Sequence, residues 1–257
     1  MYEDGFNPRA FKVCAWTGFV FCFLWVFAAT YVANGVYILP PSAADSVAKT
    51  LGDYTSNLVS IRFAATIMIF TSIFYTTWGM VVSFLPKKVE GDYPLMYYVQ
   101  VVSLAACVVV VLLIGYFWGV ASWRAGETTP EITQLLNDIG WLGVLFTGAP
   151  FGLYQIALAV VILNDKSSNP VYPRWSGYFN LFCAFFMFEA ALVLFFKTGP
   201  FSLNGLFVFY IPMVVFFFWI ALFSVLAIRA VNAEVQLRER KKKYQESNDA
   251  SNSISAA

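Results

Sequence analysis

The stretch PLMYYVQVVSLAACVVVVLLIGYFWGVASW, residues 94 to 123, runs without a single charged side chain. A helix needs about 20 apolar residues to cross about 30 Å of hydrocarbon, and this block exceeds that length. Inside it, Val108 to Ile114 is continuously apolar. A barrel strand would alternate polar and apolar positions over about ten residues. The stretch therefore reads as a membrane-spanning α-helix. On either side the pattern repeats, with further apolar blocks at about 13–39, 58–85, 139–163, 176–196 and 206–228, separated by short charged segments.

Composition agrees with that reading. Hydrophobic residues make up 60% of the chain, charged residues 12%, and mean hydropathy is +0.68; a soluble domain carries about 25% charged residues. The expected fold is all-α, one polytopic domain of six transmembrane helices over 13–231. A short segment, 1–12, precedes it and a basic tail, 232–257, follows it. Arg9 and Lys12 precede the first block, which is too long for a signal-peptide core and reads as a retained signal anchor. Six spans put both termini on one side. Arg9, Lys12, Lys87, Lys88, Lys166, Arg174, Arg229 and the cluster from Arg238 to Lys243 then share that side, so the positive-inside rule predicts N-in, C-in. Lys49, Arg62, Arg124 and Lys197 remain outside.

Local signals refine the spans. Pro40-Pro41 cannot continue a helix and ends the first. Val47, Leu51, Tyr54 and Leu58 recur at helical spacing, which fits either a short amphipathic helix on the surface or a plain loop. Thr129 before Pro130 and Glu131 is a helix start. Pro150, within Gly148-Ala-Pro-Phe-Gly152, predicts a kink in the fourth span. Gly199-Pro200 and Asn204-Gly205 predict a tight corner between the fifth and sixth. Tryptophans and tyrosines near span ends, among them Tyr37, Trp118, Trp123, Trp141 and Trp175, fit an interfacial belt. The Ser/Asn/Ala run after residue 243 reads as disordered.

Several classes of function are excluded. A net charge of +1 gives no field for nucleic acid. There is no histidine, so haem ligation through imidazole, most zinc or copper sites and Ser-His or Cys-His dyads are ruled out. Neither a Gly-x-Ser-x-Gly elbow nor a phosphate-binding glycine loop is present. The four cysteines, Cys14, Cys22, Cys107 and Cys183, form no metal or disulfide pattern. No catalytic residues, metal or cofactor are expected.

What remains is a small set of polar residues inside apolar blocks. Glu189 lies near the middle of the fifth span, where an unpaired charge costs several kcal/mol on any scale. It reads either as a proton- or substrate-contacting acid or as a neutral acid bonded to a neighbouring helix. Gln155, Gln100 and Asn180 are its possible partners, or interhelical glue. Arg62 is placed to pair with Asp138 or Glu131 across an outer gate, or else to reach the headgroups. Asp138 sits at the membrane boundary. The phenylalanine-rich run 207–219 reads as packing on lipid or a partner rather than lining an aqueous pore. Together these predict a channel or transporter for a small molecule, with Glu189 and the kinked fourth helix central. The alternative is a non-catalytic subunit or scaffold of a larger membrane complex. The expected partners are the lipid bilayer, a small-molecule substrate, and a second copy of the chain or another membrane protein.

The segments Pro130-Glu-Ile-Thr-Gln-Leu-Leu-Asn-Asp-Ile-Gly-Trp141, Tyr172-Pro-Arg-Trp-Ser-Gly-Tyr178 and Phe196-Lys-Thr-Gly-Pro-Phe-Ser-Leu-Asn-Gly205 resemble those of an uncharacterised family of bacterial inner-membrane proteins. The resemblance covers roughly the second half of the chain. It implies a bacterial source and a multi-pass location in the cytoplasmic membrane, and it supplies no activity and no site residue.

Overall fold

Helix α1, Pro8–Phe27, begins where the Asn7 side chain accepts hydrogen bonds from the Arg9 and Ala10 backbone amides, with Pro8 at the first helical position. The computed structural model describes residues 6 to 255, and side chains to Asn248. The segment expected before residue 6 and the last two residues of the tail lie outside the described residues. Among the described residues every regular element is helical. Six helices or helix runs are long and apolar enough to cross a membrane. An even number of spans puts both ends of the chain on one face, called here the terminal face; the opposite face is the distal face.

The chain continues through α2 (Val47–Ser56), α3 (Leu58–Phe84), α4 (Leu95–Trp123), α5 (Pro130–Leu145), α6 (Ala149–Asn164), α7 (Arg174–Glu189) and α8 (Ile211–Ser255). The most extensive packing is α3 on α4, followed by α6 on α7 and α1 on α3. Close approach depends on small residues. A Cβ on Gly79 would overlap Leu104, and one on Gly115 would press on Ile69 and the Ala65 carbonyl, the use of glycine typical of membrane helix interfaces.

Four spans depart from the α-helical form that the sequence predicts. The first widens into a π-turn at Ala28–Val32 and ends at Asn34 and Gly35, both with positive φ, well before Pro40. An Asn-Gly pair in the left-handed region terminates a helix without proline's help. The fourth is not kinked but divided: α5 stops at Leu145, residues 146 to 148 are non-helical, and α6 restarts at Ala149. Pro150 falls in the first turn of α6, where its missing N–H costs nothing. The fifth tightens into a 3₁₀ turn, Ala190–Leu194, and the sixth opens with a π-turn, Leu206–Tyr210, before α8. The corner between them is the predicted turn: Gly199 has φ +83°, and Ser202 bonds the Gly199 carbonyl and Asn204.

One further point refines the sequence reading. The segment at 47–56 is a helix capped by Ser46, yet it is not merely laid on the surface, because Tyr54 is fully buried. Beyond the sixth span α8 runs on as helix to Ser255. Pairs four residues apart, Glu234 with Arg238 at 2.9 Å and Lys242 with Glu246 at 3.8 Å, support that extension.

Candidate functional site

The interior divides into two apolar clusters. One, toward the terminal face, gathers Phe21, Tyr75, Trp78, Tyr154, Trp219 and Phe223. Hydrogen bonds between elements tie it together. Ser83 donates to the Tyr154 hydroxyl at 2.8 Å, which donates to the Gly79 carbonyl at 2.9 Å, and Tyr172 donates to the Val82 carbonyl at 3.1 Å. The Trp219 indole donates to Asn180 at 2.8 Å, and the Asn180 amide donates to the Ser176 carbonyl. Asn180 is therefore interhelical glue between α7 and α8, not a lining of a path.

The other cluster, toward the distal face, holds Tyr37, Tyr54, Trp118, Trp141 and Phe209. Tyr37 donates to the Tyr54 hydroxyl at 3.1 Å, and Tyr54 donates to Asn137 at 3.1 Å. Burial, followed by the nearby Tyr54, pushes the Tyr37 phenol well above its ordinary range, so this chain of donors stays neutral. Tyr37, Trp118 and Trp141 are 4%, 0% and 2% exposed. They are core residues rather than members of the expected belt; Trp16, Trp123 and Trp175, all more than half exposed, remain compatible with it.

Around the distal cluster the chain leaves space. An aromatic cavity of about 240 Å³ is lined by Trp25, Tyr37, Trp118, Trp141, Phe209 and Tyr210, with apolar residues of α1 and α8 between them. Trp25, Val144, Met213 and Phe217 line it and also line a narrower slot of about 50 Å³ deeper in the bilayer. That slot runs past Gly148, Met187, Ala190 and Phe216. The phenylalanine-rich run thus contributes to an apolar cavity as well as to the lipid face.

The slot ends where two irregular segments meet. Gly148, at the break in the fourth span, lies so close to α7 that a Cβ there would overlap the Met187 carbonyl. Glu189 follows two residues later, at the last residue of α7 before its 3₁₀ turn. Both of its carboxyl oxygens are shielded, and neither has a hydrogen-bond partner among the described residues. Gln155 of the fourth span does not answer it: Gln155 is fully buried, and so is Gln100, and the side-chain amides of both have no partner among the described residues. None of Glu189, Gln155 and Asn180 lines either cavity, so the expected shared polar path through the three is not formed.

The other predicted residues are placed elsewhere. Arg62 donates to the Ser122 and Trp123 carbonyls at 3.0 and 3.1 Å, capping the C-terminal end of α4, where the helix dipole favours a cation. No ion pair links it to Asp138 or Glu131 among the described residues. Asp138 lines a separate distal cavity of about 270 Å³ with Ser42, Gln134 and Lys197. On the terminal face a cavity of about 470 Å³ holds Lys87, Lys88 and Arg238 around Glu234, with Lys88 bonded to Glu234 at 2.9 Å. Trp25 and the aromatic cavity are candidate functional features that no motif in the sequence marks. Nothing in span-end tryptophans separates a buried wall from an interfacial belt until the first span's early end brings Tyr37 back over Trp118.

Comparison with protein-family models, with curated proteins and with solved structures gives no match.

Proposed function

We propose that this multi-pass membrane protein is transporter-like, moving a small molecule between its distal face and the middle of the bilayer, with Glu189 as the acid that couples or contacts it. The observation that carries the reading is the junction at Gly148. A spanning helix is interrupted there against the carbonyl of Met187, two residues before Glu189, whose shielded carboxyl oxygens have no hydrogen-bond partner among the described residues. Unsatisfied acids at membrane depth are expensive and are kept for ion, proton or substrate pathways. Broken helices whose free backbone groups face a cavity are the form in which membrane transporters build binding sites. The placement of the aromatic cavity supports the same reading: it lies in the distal half, whereas the aromatic cluster toward the terminal face is tied by interhelical hydrogen bonds. The clustering of basic side chains on the terminal face favours the cytoplasmic side for both termini, and a bacterial inner membrane fits the resemblance noted above.

A second reading, a non-catalytic subunit of a membrane complex, has one observation in its favour. Phe182, Phe185 and Phe188 form an exposed apolar stripe on α7. Lipid satisfies such a stripe as well as a protein partner does, so it weighs less than the unsatisfied acid.

The test is coupled flux. Proteoliposomes loaded with pyranine and given a pH gradient receive a set of small ammonium, carboxylate and neutral solutes. The reading expects one class to accelerate collapse of the gradient, and Glu189→Gln to reduce that response at least tenfold. If no solute produces a response, or if Glu189→Gln leaves the response intact, the transport role of the acid is wrong.

A further inference from the structure

We propose that the aromatic cavity of the distal half is a binding site for a small organic cation of the quaternary ammonium type; this names the substrate class for the transport reading above and rests on it only for movement, not for binding. Cations are held by aromatic faces through the ring quadrupole, and cages of Trp and Tyr are the usual receptor for an ammonium that cannot donate hydrogen bonds.

The cavity has that construction. Its rings stand at steep angles to one another: Trp25 to Trp118 at 63°, Trp118 to Trp141 at 61°, Trp141 to Phe209 at 68°, with centroids 5.1 to 6.3 Å apart. Tyr37 stacks on Trp118 at 4.0 Å and holds that ring in place, itself fixed by the bond to Tyr54. Walls at such angles surround a guest on several sides instead of stacking on it from one.

The charge balance selects the sign of the guest. No lysine or arginine lines the cavity. The protein's own cation–π pairs engage other rings: Arg62 with Trp123, Lys87 with Phe84 and Tyr97, and Arg238 with Phe6. The slot leading inward passes Met187 and Ala190, the residues that flank the unpaired Glu189 turn. An anion would meet ring electrons, whereas a cation meets them favourably. A volume of about 240 Å³ suits a tetraalkylammonium headgroup with short substituents. The same chemistry is offered by a free cation or by a phosphatidylcholine headgroup from the leaflet.

The experiment compares choline with 3,3-dimethylbutan-1-ol, an isostere that differs in charge alone, by calorimetric titration of the full chain in phosphatidylglycerol nanodiscs. Choline should bind saturably and the neutral alcohol at least tenfold more weakly. Trp141→Ala should weaken choline about tenfold and Trp141→Phe by less, with helical circular dichroism showing that both variants are folded. Loss of choline binding in phosphatidylcholine nanodiscs would support the site with lipid as its source; undiminished binding there would support it with a free cation as its source. Equal binding of alcohol and choline, or choline binding unchanged in folded Trp141→Ala, overturns the proposal. Glu189→Gln separates the two ideas: choline binding that survives in that variant while pH-coupled flux is lost places recognition in the rings and coupling in the acid. Choline binding without any coupled flux in the wild type leaves the cation site standing and removes the transport reading.

Discussion

Asn180 and Gln155 are both fully buried amides in neighbouring helices, and their fates differ. Asn180 has one neighbour that needs an acceptor, Trp219, and one carbonyl within reach of its amide. Gln155 has neither. Removing a partner from a satisfied pair strands the other group at about 1 to 3 kcal/mol, while replacing an unsatisfied polar group by an apolar one of similar shape is neutral or favourable. Asn180→Leu should therefore lower the thermal midpoint in detergent, by the equivalent of about 1 to 2 kcal/mol. Gln155→Leu should leave it unchanged or raise it. A Gln155→Leu loss as large as that of Asn180→Leu would mean that the Gln155 amide has a partner after all. The same reasoning marks Glu189 as costly: its buried oxygens reduce stability, and a Glu189→Gln chain that is more stable and inactive is the signature of a residue kept for function.

Elements carry a second kind of constraint, and the junction at Gly148 is its clearest case. Nothing about φ requires glycine there, since at −64° it lies in the right-handed region open to any residue. What requires it is the Met187 carbonyl, which a methyl group would overlap. Overpacking of this kind costs about 1 to 3 kcal/mol. Gly148→Ala should thus shift the thermal midpoint down and, if the junction is the site, reduce coupled flux more than stability alone explains; Gly52→Ala, where a Cβ meets nothing, is the matched control. The connection between α6 and α7 offers a pH-dependent counterpart. Burial raises the Asp165 carboxyl, but bonds from Ser167 and the Val171 amide outweigh it and hold the group below its usual range. A lowered carboxyl stabilises the fold above its unfolded-state value of about 4 and loses that contribution as pH falls through its folded value. Stability of the wild type should decline below about pH 4 more steeply than that of Asp165→Asn, measured by denaturation in detergent.

How much of this could be read beforehand also divides by element. The six spans were legible because hydrocarbon thickness sets a length, and the corner at Gly199 because its turn needs a positive φ. Asn34-Gly35 carried the same kind of signal, and Pro40-Pro41 masked it by offering a later stop. The division of the fourth span was half legible: Pro150 marked the place, but a proline in the first turn of a new helix and one in the middle of an old helix look alike in sequence. Glu189 stood out because one acid in an apolar block is conspicuous. Its partners did not, because apolar helices carry no register that says which faces meet, and so the amides assigned to it turned out to be glue or orphans.

At the scale of the molecule, the departures from α-helical geometry at 28–32, 146–148, 190–194 and 206–210 each adjoin a cavity, and two of those cavities adjoin one another through shared residues such as Trp25, Val144 and Met213; a further 3₁₀ turn, Leu85–Glu90, closes the second span on the terminal face. The remaining spans, α3 and α4, are unbroken and packed against each other along glycine-lined contacts. This amounts to a rigid frame carrying a deformable half. Local opening draws on regions with weak backbone hydrogen bonds, and π- and 3₁₀-turns supply them. Amide hydrogen exchange in nanodiscs should therefore show the four irregular segments exchanging at least tenfold faster than residues 71 to 82 of α3. Choline should slow exchange at 28–32 and 206–210, which flank its cavity, more than at 190–194. Uniform protection across all six spans would describe a static bundle and favour the subunit reading. Fast exchange confined to the distal half, slowed by a cation at the two π-turns, would describe a transporter caught open on one side.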